Sequence, residues 1–159
     1  MPTVTHIFIC SSKQQPMVEV QNVWAIAGIG LEGDRYASLQ GTYSKATDLD
    51  DPSKRAKRNV TLISENLITA ANANLSKPFL LNETRRNIVI GGEVDLLSLI
   101  GKEFSIGGVR LLGREDCTPC KLPGRLVEKD GFETAFALCG GLRAEILTDG
   151  LIRVGDEFC

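Results

Sequence analysis

The apolar residues of this chain come in short runs, each closed by glycine, proline or a polar cluster, and that punctuation most restricts its fold. Residues 4–10 are apolar and β-branched and stop at Ser11-Ser12-Lys13-Gln14-Gln15-Pro16, which reads as a strand and a turn. Residues 17–21 alternate apolar and polar side chains, as a half-buried strand does. Residues 59–63 and 87–90 read as buried strands, the second closed by Gly91-Gly92. Residues 96–100 are a short apolar run with Gly101 placed to cap it. Residues 104–112 read as two strands around Gly107-Gly108, and residues 143–148 and 151–154 flank Asp149-Gly150, the best hairpin signal in the chain. Helical signals are sparse. Ser64 can cap a helix carrying Leu67, Ile68 and Ala71, which ends near Lys77-Pro78. Residues 126–138 allow a helix interrupted at Gly131, whereas Pro123-Gly124 is expected to cut off any helix soon after Cys120. Such helices are too few and too short to alternate with strands in βαβ units. The expected class is mainly β (α+β), a barrel or sandwich with a few short helices at its ends.

Length and composition narrow the function. A chain of 159 residues fits one domain. A net charge of −2 and 6% aromatic residues leave no strong basic footprint and few stacking platforms, so no nucleic-acid partner is expected. No apolar run approaches the ~20 residues of a membrane span, and the first ten residues lack the basic start and apolar core of a signal peptide. A cytoplasmic protein with no membrane association is the expectation. Five cysteines stand against one histidine. An odd count with nothing directing the chain to an oxidising compartment argues against a disulfide framework. His6 alone excludes chemistry that needs two histidines.

Several motifs carry competing readings. Gly28-Ile29-Gly30-Leu31-Glu32-Gly33 matches a dinucleotide-binding pattern, with Asp50 at an acidic offset. The pattern needs a helix to start there, and residues 34–41 have no apolar stripe, so the match is accidental. The glycines form either a plain turn or a tight loop that brings Arg35 towards an anion. Gly101-Lys102 lacks the serine or threonine and the upstream glycine of a phosphate loop. Residues 37–58 lack periodicity and carry Asp48, Asp50 and Asp51, then Lys54, Arg55, Lys57 and Arg58. They read as a flexible surface loop or as a lid over a site. Cys117-Thr118-Pro119-Cys120 offers a zinc half-site, a redox pair, or a single reactive thiolate favoured by Arg114, Lys121 and Arg125. Cys10 and Cys139 sit in apolar surroundings and read as core. Arg85-Arg86-Asn87 reads either as surface charge or as a forked donor set for phosphate.

Taken in order, Gly30-Leu31-Glu32-Gly33-Asp34-Arg35, Thr61-Leu62-Ile63-Ser64, Arg85-Arg86-Asn87-Ile88-Val89-Ile90, Leu99-Ile100-Gly101, Cys117-Thr118-Pro119-Cys120-Lys121-Leu122 and Gly155-Asp156 resemble the MOSC domain, named for the C-terminal domain of molybdenum cofactor sulfurases. The resemblance runs over effectively the whole chain. It implies a β-barrel-like domain that binds the pterin form of the molybdenum cofactor (molybdopterin). It implies that Cys120 ligates molybdenum or carries sulfur. Arg85 and Asn87 fall where the family holds the pterin phosphate, and Arg35, Ser64 and Lys121 are further cofactor-binding candidates. Cys117 is an extra thiol that can resolve a sulfenate or persulfide on Cys120. Better-studied relatives reduce N-hydroxylated compounds with electrons from a separate reductase. The implied partners are such a reductase or a sulfur donor, together with a small-molecule substrate. The alternative is a sulfur or cofactor carrier without turnover. On this reading the chain is a stand-alone, short member, and no pyridoxal phosphate is expected.

Overall fold

A computed structural model of the chain describes residues 1–44 and 51–159. The strands are β1 (Thr3–Ile9), β2 (Val18–Val20), β3 (Asn22–Ile26), β4 (Gly30–Leu31), β5 (Val60–Ser64), β6 (Ile88–Gly91), β7 (Glu103–Ile106), β8 (Val109–Asp116), β9 (Leu142–Ile146) and β10 (Gly150–Arg153). The helices are α1 (Pro52–Ala56), α2 (Glu65–Asn72), α3 (Leu122–Val127) and α4 (Phe132–Ala135), with 3-10 turns at Leu81–Thr84 and Leu96–Leu99. Among the described residues no helix is long and apolar enough to cross a membrane.

Seven strands form one sheet in the order β2-β1-β6-β5-β9-β8-β7, and three form a second in the order β10-β3-β4. The larger sheet curls into a half-barrel, as the mainly β expectation requires. Two irregularities bend it. The β1–β6 register shifts between Val4 and His6, and the β8–β9 register shifts between Gly113 and Glu115; such bulges increase local twist. The C-terminal residues then bind both ends of the curl. Val4 and Asp156 share a hydrogen bond of 2.9 Å, and Ser105 and Cys159 share two, at 2.8 and 3.0 Å. The chain end thereby joins β1 to β7.

The alternation of the central strands separates two cores. Leu62, Ile88 and Ile90 point into a cluster shared with the small sheet through Val23, Ala25, Leu31 and Ile152. Ile63 and Val89 point to the opposite face, against Ile68 of α2 and the stacked rings of Phe132 and Phe136. Strands buried on both faces read as unbroken apolar runs, which is why residues 59–63 and 87–90 were legible. Ser64 caps α2 as expected, its Oγ accepting from the Leu67 amide at 3.4 Å.

Three expectations fail. The segments around Asp149-Gly150 form no hairpin, because β9 pairs with β5 and β8 while β10 pairs with β3 in the other sheet. Asp149 instead accepts the Ala27 amide at 2.7 Å, which ties the crossing between sheets. Pro123 does not prevent a helix after Cys120. It lies in the first turn of α3, where a missing amide proton costs nothing. β5 and β6 pair in parallel, so α2 and the following 3-10 turn complete one crossover unit. The residues after Gly33 form turns, not a helix, in keeping with the rejected dinucleotide site. Of residues 37–58, Pro52–Ala56 are helical, while Asp48 and Asp50 lie outside the described residues.

Gly141 stands at φ +109, and a Cβ there would collide with the Leu62 carbonyl. Gly141→Ala is expected to cost about 3 kcal/mol, from backbone strain plus overpacking. Gly101→Ala, at φ +80 in open space, should cost only about 1 kcal/mol. Urea unfolding should show the larger fall in midpoint for Gly141→Ala, with an unchanged m-value.

Candidate functional site

Five chain segments converge at one end of the curled sheet: the segment after β4, the entry to β5, the turn before β6, the loop between β8 and α3, and the start of β9. They enclose a cleft of about 570 Å³, its open mouth included. Arg35, Arg58, Arg85, Arg86 and Arg143 line it together with Cys117, Cys120, Tyr36 and Tyr43, and no carboxylate is among the described lining residues.

Two buried polar groups hold the segments in place. The Asp34 carboxylate, with its side chain 0% exposed, accepts from the Cys10 amide at 3.1 Å, the Arg35 guanidinium at 3.1 Å and the Asn87 amide at 3.3 Å. The Asn87 side chain is saturated. Its Oδ1 accepts from the Thr61 amide and hydroxyl, both at 3.1 Å, and its Nδ2 also donates to the Phe8 carbonyl at 3.1 Å. Asn87 therefore joins β1, β5 and the Asp34 turn, and it has no donor left for a phosphate.

Arg86 organises the thiol loop. Its Nε donates to the Gly140 carbonyl at 2.6 Å, and a terminal nitrogen donates to the Cys117 carbonyl at 3.2 Å. The Cys117 amide donates to Gly141 at 2.8 Å. Gly140 has to be glycine because a Cβ would strike the Cys117 carbonyl. These contacts bury Cys117 and leave Cys120 half-buried at the rim.

Arg85, Arg143 and Arg35 supply positive charge around the cleft. Arg85 is 8% exposed and sits at φ +64, a left-handed conformation that arginine rarely adopts. One terminal nitrogen donates to the Gln15 carbonyl at 2.7 Å, and the other is buried without a partner. Burial, and then the charge of Arg35, pull its pKa below the ordinary value. Arg143 lies 3.6 Å from Glu115. Burial works against its charge, but the neighbouring Cys117 sulfur and Glu115 raise its pKa overall. Arg35 lies 4.8 Å from the Tyr36 ring centroid and is held from behind by Asp34. The cleft is electropositive, and Arg85 brings a buried donor without a partner to it.

Tyr43 closes the rim. Its hydroxyl lies 3.3 Å from Cys120 Sγ, and Arg143 sits 5.9 Å from its ring centroid. The hydrogen bond to Cys120, and then burial, push the Tyr43 pKa up to about 12.

Of the residues singled out in the sequence, Arg35, Arg85, Asn87, Cys117 and Cys120 meet at the cleft. Ser64 and Lys121 do not. Ser64 is buried as the cap of α2, and Lys121 is exposed ahead of α3. All five cysteines are free, and no group of three His, Cys, Asp or Glu side chains gathers among the described residues. β8 is antiparallel to both neighbours, unlike the parallel strand of a thioredoxin-like pair. Sequence reasoning missed Tyr43, Arg143 and the Gly140-Gly141 pair. The double glycine was a readable signal, whereas Tyr43 and Arg143 carry none.

A curled sheet bearing an arginine-lined cleft with a thiol at its rim defines a β-rich domain with an electropositive cleft. The MOSC domain model matches residues 43–158, and the chain belongs to this family of molybdenum-cofactor-related domains. The fold is similar to the YuaD protein from Bacillus subtilis, at 20% identity and TM-score 0.77 over 99% of this chain and 94% of that one. It is also similar to YiiM from Geobacillus stearothermophilus, at 11% identity and TM-score 0.70 over 99% and 74% of the two chains. YiiM from Escherichia coli follows at 13% identity and TM-score 0.64, over 100% and 70%. No curated protein matches the chain. Arg35 and Tyr36 precede the residues that the family model matches.

Asn87→Ala should cost about 3 kcal/mol, since it strands buried partners on three segments, and should lower Tm by on the order of 10 °C. Lys121→Ala should stay within about 0.5 kcal/mol. Calorimetry of the two variants checks both.

Proposed function

We propose that the cleft binds the phosphate-bearing pterin of the molybdenum cofactor, with Arg85, Arg35 and Arg143 toward the phosphate and Cys120 Sγ as the protein's ligand to the metal. The observation that carries this reading is the buried, unpartnered nitrogen of Arg85 in a cleft with Cys120 at its rim. The donor set fits the group. Guanidinium forks suit phosphate oxygens, and a thiolate suits a soft metal centre. Asn87 and Arg86 serve as positioning residues, because their donors are spent on protein carbonyls and on Asp34.

The chain's own contributions are electrostatic and geometric. Asp34 fixes Arg35, the Gln15 carbonyl fixes Arg85, and Arg86 fixes the loop that presents Cys120. Bound there, the cofactor would supply two-electron oxygen chemistry that takes an N-hydroxylated compound, two electrons from a separate reductase and two protons to the parent amine and water. Free thiols at all five cysteines fit a reducing cytoplasm.

A second reading has its own support. Besides arginines, the described lining offers two thiols and hydroxyl groups as proton carriers, and no carboxylate or imidazole. General acid catalysis favours a group with a pKa near neutral, so this lining favours a carrier that holds sulfur as a persulfide on Cys120.

Protein made in a cofactor-competent host should retain molybdenum, and Cys120→Ser should retain at least tenfold less by elemental analysis. Equal molybdenum in the two would overturn the assignment of Cys120. Multiple turnovers of an N-hydroxylated base with a supplied reductant would favour the enzyme. After incubation with a persulfide donor, which passes on its outer sulfur and leaves as a thiol, a mass gain of one sulfur atom confined to Cys120, without turnover, would favour the carrier.

A further inference from the structure

Tyr43 has no part in the cofactor contacts proposed above, yet it makes the closest side-chain approach to the thiol at their centre. Its hydroxyl lies 3.3 Å from Cys120 Sγ. Its ring is 43% exposed and so forms part of the cleft mouth rather than its floor. The ring is steadied by the Arg143 guanidinium, 5.9 Å from its centroid, and Arg143 in turn faces the Cys117 sulfur. One cation thus bridges the buried thiol and the residue that covers the rim thiol. The same cleft holds the buried, unpartnered nitrogen of Arg85, an independent sign that a ligand belongs there.

We propose that Tyr43 is a gate residue for Cys120: its hydroxyl shares a hydrogen bond with the sulfur and covers it while the cleft lacks a ligand, and capture of the sulfur by a soft metal or an electrophile releases the tyrosine. The assignment rests on the reading of Cys120 as the reactive thiol. Its chemistry needs no molybdenum.

The groups around Tyr43 come from three elements. Cys120 approaches from the loop after β8, Tyr36 from Tyr43's own segment, and Arg143 from β9. Arg35, Arg58, Arg85 and Cys117 line the rest of the cleft.

One measurement on the full chain without cofactor tests the proposal: the rate at which iodoacetamide alkylates Cys120 at neutral pH, read by peptide mass spectrometry. Tyr43→Ala removes the cover from the sulfur, and it should alkylate at least about threefold faster, because access limits the reaction of a covered thiol. An unchanged or slower alkylation rate in Tyr43→Ala overturns the gate. If the protein fails to load molybdenum while the faster rate appears, the gate stands and only the cofactor reading falls. If it loads molybdenum and the rate is unchanged, only the gate falls.

Discussion

The buried carboxylate of Asp34 is the interaction on which the cleft depends. It joins the end of β1, through the Cys10 amide, to the Arg35 guanidinium and to the Asn87 amide ahead of β6. A charge this deep is tolerable only when its oxygens are satisfied. Here four donors meet them, the fourth being the Tyr36 amide at 3.3 Å. The carboxylate stands behind Arg35, not inside the cleft. Its charge therefore holds the guanidinium in place while the described lining presents five arginines and no carboxylate. Removing one partner of such a buried pair costs about 3–5 kcal/mol, more than a surface anion site could return. The cleft is consequently set when the chain folds, before any ligand arrives.

The same economy explains the division of labour along Arg85-Arg86-Asn87. Three adjacent polar residues look equivalent in the sequence, but the backbone turns left-handed at Arg85 and sends them to different places. Arg86 runs to the thiol loop and Asn87 to the neighbouring strands, each spending its donors on carbonyls or on Asp34. Arg85 retains an unused donor. A strained conformation of this kind costs about 1–2 kcal/mol, and the Gln15 contact helps to hold it. What the strain provides is a guanidinium already desolvated and already repelled by Arg35, so an anion that binds relieves a stress that is present without it.

Legibility in the sequence followed the physics of each element. Strands buried on both faces announce themselves as apolar runs, and β5 and β6 were readable for that reason; β1, β7 and β8 were readable from their β-branched and apolar residues bounded by turn signals. The Ser64 cap was readable because capping is local chemistry. The Asp149-Gly150 hairpin was misread because turn residues report only that the chain bends, not which sheet receives the next strand. Pro123 was misread because proline inside a helix and proline in its first turn look alike until the start is known. In the site, the reactive-looking residues were visible as motifs, but their roles were not. Asn87 looked like a phosphate donor until its four hydrogen bonds were counted, and Ser64 and Lys121 lie on the motif but away from the cleft. Tyr43 and Arg143 belong to no motif, and only the fold brings the first of them to Cys120 across 77 positions of sequence.

The unequal fate of Cys117 and Cys120 shows how backbone geometry assigns chemistry. Both carry the same thiol three positions apart, and cations line the space around both. Arg86 and the Gly140-Gly141 pair pull the Cys117 backbone against the start of β9, and its side chain is buried at 4% exposure. Beyond it, Pro119 packs against Gly140, and α3 begins at Leu122. Cys120 is left on the short bridge between these two anchors, turned to the cleft and covered by a single phenol. A side chain at Gly140 would push out the Cys117 carbonyl and Pro119 together, shifting the anchor from which Cys120 is presented. The reactivity of the rim thiol thus depends on two residues with no side chains of their own.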